Sequence, residues 1–222
     1  ELNSGSFDKA IPLYETLEGR AAGTPLAQQA QLDKAYAQFK DGQKVEAIAT
    51  LDRFMRLHPS SPAVDYALYM KGVINFNDEL GLLSFLSRQD LSERDQRAAK
   101  EAFESFNDLV TRFPESRYAP DARARMRYTV NALAQYEVHV ARYYYTRGAY
   151  VAAINRAQQA LTDYRDAPAL EEALYILVQS YDRLEMAELR DDAKRVLDAN
   201  YPNSAFVAKG FRAGSKPWWQ LW

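Results

Sequence analysis

Cysteine is absent from the 222 residues, which excludes disulfides, thiolate metal sites and a cysteine nucleophile. The absence leaves the compartment open, because an oxidising space permits disulfides without requiring them. Glycine and proline are scarce, nine of each, too few for an all-β chain that turns every few residues. No apolar run reaches the roughly 20 residues that a membrane-spanning helix needs, and no signal-peptide pattern opens the chain. The first residues, Glu1-Leu2-Asn3-Ser4-Gly5, read as the tail of a helix. The chain is therefore expected to be a fragment from which any targeting segment has been removed. A net charge of −2 excludes a simple polyanion binder.

What is present points to helices. Hydrophobic residues make up 47% and charged residues 26% of the chain, as in a folded protein rather than a disordered one. Ala, Arg, Gln, Leu and Glu dominate, and all favour helix. An internal repeat pairs an Ala with a break 12 residues later: Ala47 to Pro59, Ala102 to Pro114, Ala153 to Arg165. A Gly stands five residues before the Ala at Gly5–Ala10, Gly42–Ala47 and Gly148–Ala153, and is missing at the fourth place, Glu188–Ala193. The Gly suits a tight reversal between antiparallel helices, the Ala a close approach, and the Pro the end of the unit. The endings HPSSP (58–62), FPESR (113–117) and YPNSA (201–205) place Ser60, Ser116 and Ser204 to cap the next helix.

The spacing predicts helices over 7–19, 25–41, 43–57, 61–78, 93–113, 117–133, 134–147, 149–164, 168–186 and 188–200. Pro12 is expected to kink the first. The fold expected is all-α, a TPR-like solenoid of about five antiparallel helix hairpins, an αα superhelix. Such a stack buries a continuous core and offers a concave face to peptides or partner proteins. Residues 79–92 interrupt one hairpin as an inserted loop. Its Leu82, Leu83, Phe85 and Leu86 either pack back on neighbouring helices or form a functional loop.

Catalytic chemistry finds no footing. His58 precedes a helix-ending Pro and is expected to face solvent. His139 lies among aromatics and is expected to be packed or hydrogen-bonded. Their separation gives no metal-ligand spacing, so no metal and no cofactor are expected. No phosphate-cradling loop or nucleophile elbow occurs. The adjacent acids Glu171-Glu172 and Asp191-Asp192 diverge on helices, as a solvated face requires.

Charge is uneven. Between Arg112 and Arg165 there are nine Arg, no Lys and four acids; residues 166–200 carry nine acids against four bases. Seven of the fifteen tyrosines lie between 118 and 150. Arg with Tyr is the composition of protein-binding hot spots, and Arg alone among cations pairs carboxylates bidentately. The competing reading is that Arg123 and Arg127 decorate a solvated helix face while the tyrosines pack between hairpins. Of Tyr143, Tyr144 and Tyr145, at most two can share a surface, at about 100° per residue. Nucleic acid is not expected as a partner, since the chain is acidic overall. All three Trp fall in the final five residues, within GFRAGSKPWWQLW. They either cap the last hairpin or dock on a partner or a membrane interface.

Three segments resemble one family. GQKVEAIATLDRFMRLHPSSPAVDYALYMKG, RDQRAAKEAFESFNDLVTRFPESRYAPDA and LAQYEVHVARYYYTRGAYVAAINRAQQALTDY are similar to the BamD (ComL) family of outer-membrane assembly lipoproteins, from about residue 5 to about residue 200. The resemblance implies five TPR units on the periplasmic face of the outer membrane, anchored by an N-terminal lipid whose Cys this chain lacks. It implies a non-catalytic subunit of the β-barrel assembly (BAM) complex. The partners implied are the BamA POTRA domain, BamC or an equivalent lipoprotein, and the C-terminal signal of unfolded outer-membrane proteins. Residues 1–115 would be the substrate half, 116–205 the BamA/BamC half, and 206–222 a Trp-rich tail. The family's NRxxxxL element stands at Asn155-Arg156 through Leu161, which makes Arg156 the BamA contact, with Asn155 beside it. The RGA element supplies Arg147 as a further contact, and the AxYE element supplies Tyr136. Tyr136 and Tyr143 are the substrate-peptide candidates. The family's loop is matched through Arg94-Asp95. Residues 18–25, EGRAAGTP, depart from the family pattern, and the WWQLW tail is not general to it. A generic TPR adaptor or cochaperone is the alternative.

Overall fold

The computed structural model describes residues 6–76 and 93–211. Among these residues there are ten helices and no strands: α1 (Phe7–Arg20), α2 (Pro25–Lys40), α3 (Lys44–Leu57), α4 (Val64–Asn75), α5 (Glu93–Arg112), α6 (Ala119–Thr146), α7 (Tyr150–Asp163), α8 (Leu170–Arg183), α9 (Ala187–Asn200) and α10 (Ala205–Lys209). The all-α, TPR-like hairpin arrangement read from the repeat is therefore present. The loop at 79–92 and most of the Trp-rich tail lie outside the described residues. The chain divides into two compact units, residues 1–129 and 130–222, with the boundary inside α6.

Four hairpins follow the repeat: α2–α3, α4–α5, α6–α7 and α8–α9. Helix α1 carries Ala10 where α3 and α7 carry Ala47 and Ala153, and Gly5 lies outside the described residues. At the reversals within α2–α3, α6–α7 and α8–α9 a left-handed residue follows the first helix. At Gly42 (φ +84°) and Gly148 (φ +76°) glycine takes it without a Cβ penalty. The same two bonds close both turns: Gly42 N–H to Phe39 O at 3.1 Å and Gln43 N–H to Gln38 O at 2.8 Å, then Gly148 N–H to Tyr145 O and Ala149 N–H to Tyr144 O, each at 3.0 Å. This is the Schellman pattern, which satisfies orphan carbonyls at a helix end.

The last hairpin corrects the expected register. Its left-handed residue is Glu185 (φ +59°), with Glu185 N–H to Asp182 O at 3.1 Å and Met186 N–H to Tyr181 O at 3.0 Å. Five residues on stands Arg190, and Pro202 lies 12 beyond that, so the pair Glu188–Ala193 is three residues out of phase. The small residue has moved one turn along, to Ala193, and a non-glycine fills the strained position.

The links between hairpins also repeat. Ser61, Ser116 and Ser204 accept from the backbone N–H of Ala63 (3.4 Å), Tyr118 (3.2 Å) and Val207 (3.4 Å). Each hydroxyl donates in turn to the start of the preceding hairpin's first helix: to Gln28 (2.9 Å), Asp65 (2.6 Å) and Glu171 (2.7 Å). The expected cap by Ser60 is not made: the N-cap of α4 is Ala63, without a side-chain bond, and Ser61, placed by its own N–H to His58 O, holds the turn before the helix. Ser204 does cap α10. At the α7–α8 link Ala167 takes the equivalent place, and its backbone bond to Tyr164 O remains at 3.3 Å.

Two expected helices, 117–133 and 134–147, are one helix of 28 residues, α6. No Gly, Pro or capping residue stands at the expected junction, and both Leu133 and Ala134 are buried, so nothing stops propagation. Pro12 lies inside an unbroken α1, where only one ladder bond near the exposed N-terminus is lost. In the first unit Leu51, Phe54, Phe106 and Leu109 are fully buried, and Ala47, Ala67 and Ala102 let the helices close on one another. At Gly72 the approach is close enough that a Cβ would lie 2.4 Å from the Phe106 ring.

Gly72→Ala is expected to lower stability by about 1–3 kcal/mol through overpacking, read as a lower urea midpoint. Glu185→Gly is expected to raise it by about 0.5–1 kcal/mol, since relief of left-handed strain outweighs the entropy of glycine. A Gly72→Ala chain as stable as wild type would contradict the close packing described.

Candidate functional site

The residues singled out in the sequence gather on the second half of α6 and on α7, within the second unit. Arg156, on α7, donates from Nη1 to Glu137 Oε2 of α6 at 3.1 Å. The pair is asymmetric: the Glu137 side chain is 9% exposed and that of Arg156 46%. Tyr164 is buried nearby, and its hydroxyl is pushed up to about 12 by burial and then by the Glu137 and Asp163 charges. Asn155 is exposed beside Arg156.

A second buried acid, Glu172 of α8, takes both Nε and Nη2 of Arg142 on α6 in a bidentate clamp. Here both members are mostly covered, at 30% for Arg142 and 10% for Glu172. Breaking such a pair on one side leaves a buried uncompensated charge.

Arg147 sits at the end of α6 with its guanidinium 5.1 Å from the centre of the Tyr143 ring. Tyr143 is 52% exposed and meets Tyr144 edge-on at 5.8 Å. Tyr145 turns elsewhere, packing on Tyr150 at 5.5 Å and Phe211 at 5.0 Å. Tyr143 and Tyr144 therefore share a surface and Tyr145 does not. Tyr136 is half-buried two turns before Tyr143 on the same helix. The structure thus joins Arg147 to Tyr143 and brings Arg156 to the helix position next to Tyr136.

His139 is exposed rather than packed, because Val138 and Ala141 take the buried stripe of α6. His58 is half-buried with its ring 5.3 Å from Phe54, so it does not simply face solvent. Arg123 and Arg127 are exposed as a solvated face.

Sequence reasoning treats Glu137 only as one of four acids in a basic segment. A signal is available there: Leu133, Ala134 and Ala141 stand at helical spacing around it, which places an acid on a buried stripe. The first unit adds a groove of about 740 Å³ lined by Leu32, Pro62, Tyr66 and Tyr118 with Asp65 and Arg117. Tyr118 stacks on Tyr69 at 4.7 Å, and Arg117 lies 4.7 Å from the Tyr118 ring centre. The groove assembles residues from 29 to 118, a separation that no local pattern encodes. Among the described residues no helix is long and apolar enough to cross a membrane.

Hairpin repeats with an arginine–tyrosine surface and arginine-bound buried acids define a TPR-like scaffold. The chain matches the YfiO family, described as outer membrane lipoprotein, over residues 1–197. It is 48% identical over its whole length to outer membrane protein assembly factor BamD of Neisseria meningitidis serogroup B, covering 83% of that protein. It is 37% identical over 93% of its length to the protein of the same name from Xylella fastidiosa strain Temecula1, covering 70% of it. The chain belongs to the BamD family of outer membrane protein assembly factors. A Podosopora anserina kinesin light chain structure with TPR-like repeats aligns over 91% of the chain and 92% of its own at 16% identity, with a TM-score of 0.41, too low to weigh in the fold.

Tyr66 and Tyr164 both hold their protons up to about 12, whereas the unfolded chain ionises near 10. Between those values the folded state binds more protons, so their stabilisation is complete below pH 10 and is lost as pH climbs through 12. Thermal melts are expected to fall across that window, with a shallower fall in Tyr66→Phe/Tyr164→Phe. Glu172→Ala is expected to cost about 3–5 kcal/mol by stranding Arg142, measured by urea denaturation.

Proposed function

We propose that this chain is a non-catalytic, partner-binding subunit of the machine that assembles outer-membrane β-barrels. The observation that carries the reading is Arg156: a nearly half-exposed side chain whose Nη1 is held by a buried acid, inside the Asn155-Arg156 element. Its partner would be an acid on the membrane-proximal POTRA domain of BamA. Arg147, stacked on exposed Tyr143, would extend the same contact. Residues 116–205 would form this complex-binding half, which also receives BamC or an equivalent lipoprotein.

Residues 1–115 would take the C-terminal signal of unfolded outer-membrane proteins. The groove of the first unit suits an extended segment with apolar side chains, and its lining reaches Tyr118, so the half would extend slightly past 115. Tyr136 and Tyr143, both in the second unit, are separate candidates for contact with such a segment. The non-enzymatic reading is supported by the buried acids Glu137 and Glu172, each bound by an arginine rather than poised for proton transfer. A lipid anchor at the periplasmic face of the outer membrane belongs to the same reading, supported by the family's description as outer membrane lipoprotein.

The pair with Glu137 dictates the test. Arg156→Glu by itself would set two carboxylates together at a buried position and disturb folding. The substitution is therefore made in a Glu137→Gln chain. Pull-down from envelope extract is expected to recover BamA with Glu137→Gln but not with Glu137→Gln/Arg156→Glu, helical circular dichroism being equal. Recovery of BamA by both chains would sink the assignment of Arg156.

A further inference from the structure

We infer that Glu137 is a positioning residue for the Arg156 contact: its buried carboxylate holds Nη1 so that the Nε–Nη2 edge is presented, pre-oriented, to a carboxylate on the partner. This rests on the reading of Arg156 given above.

The two buried acids of the second unit provide the comparison. Glu172 occupies Nε and Nη2 of Arg142, the edge that binds carboxylates in the fork-to-fork manner. That clamp is closed, and Arg142 has no such edge left to offer. Glu137 takes only Nη1 of Arg156. No hydrogen bond is described at the opposite edge, and the side chain is nearly half exposed. The same residue types thus make a closed internal pair in one place and an open half-pair in the other.

Stability alone does not account for an acid at position 137. Leu133, Ala134, Val138 and Ala141 around it are all buried, and an apolar residue there would avoid the desolvation of a carboxylate. A fixed Arg156 does account for it. Arginine has many rotamers, and ordering them is a cost of association. An internal acid on one nitrogen removes much of that freedom before the partner arrives. It also leaves free the planar edge whose geometry selects a carboxylate over a lone hydroxyl or carbonyl.

The test is a binding cycle with the full chain against the isolated membrane-proximal POTRA domain of BamA, read by calorimetry, with melting followed throughout. Glu137→Gln, close to isosteric, is expected to weaken binding roughly two- to tenfold, the range for releasing one rotamer-rich side chain. Glu137→Met, apolar and similar in volume, is expected to weaken it at least as much without loss of melting temperature. In an Arg156→Gln background neither change is expected to weaken binding further. A partner-independent readout is the order parameter of the Arg156 Nε–H group by NMR in the free chain, expected to drop in both variants. Wild-type affinity or an unmoved order parameter in both variants would overturn the positioning role. So would equal weakening in the Arg156→Gln background. If Arg156→Gln itself binds like wild type, the contact assigned to Arg156 fails, a result separable from failure of Glu137 alone.

Discussion

The described hairpins depend on reversing a helix within three residues while returning backbone donors to its last carbonyls. One left-handed residue achieves this, with its N–H and the next returned to the preceding turn. Gly42 and Gly148 do so freely; Glu185 does so under strain. The reversal sets two helices side by side, and rows of alanine let them approach closely. At three links a serine hydroxyl then ties the turn after one hairpin to the start of that hairpin's first helix. Arg156 meets Glu137 because the Gly148 turn returns α7 along α6.

Much of this was legible in the sequence. The glycine–alanine spacing and the Pro-x-Ser endings encode local turns, and local turns are what short motifs can report. Two features escape for physical reasons. The long α6 divides in two only if uniform hairpins are assumed, and no helix-stopping residue marks a division. The last hairpin falls out of phase because Glu185 replaces the expected glycine, which leaves the next acid–alanine pair as the nearest match to the spacing. Arg156, Arg147 and Tyr136 were singled out through the family's motifs and Tyr143 through the local run of tyrosines, whereas nothing pointed to the groove of the first unit, since its walls come from residues some 90 apart in sequence.

The arginine-rich segment proves to have a division of labour. Arg125 and Arg142 are absorbed by Asp121 and Glu172. Arg112, Arg117 and Arg147 lie over aromatic rings. Arg156 alone in this set combines a buried acid with an open edge. The local charge therefore includes arginines already engaged within the chain. Membership of the BamD family across nearly the whole chain replaces the generic adaptor reading with a specific assembly context.

The central claim is that the surface around Arg156 faces another subunit of that assembly. A photo-crosslinking amino acid at the exposed neighbour Asn155, illuminated in intact envelopes, tests it most directly. The account predicts one dominant adduct, whose mass and peptides identify BamA. No adduct at this position, or a dominant adduct with an unrelated protein, would contradict it.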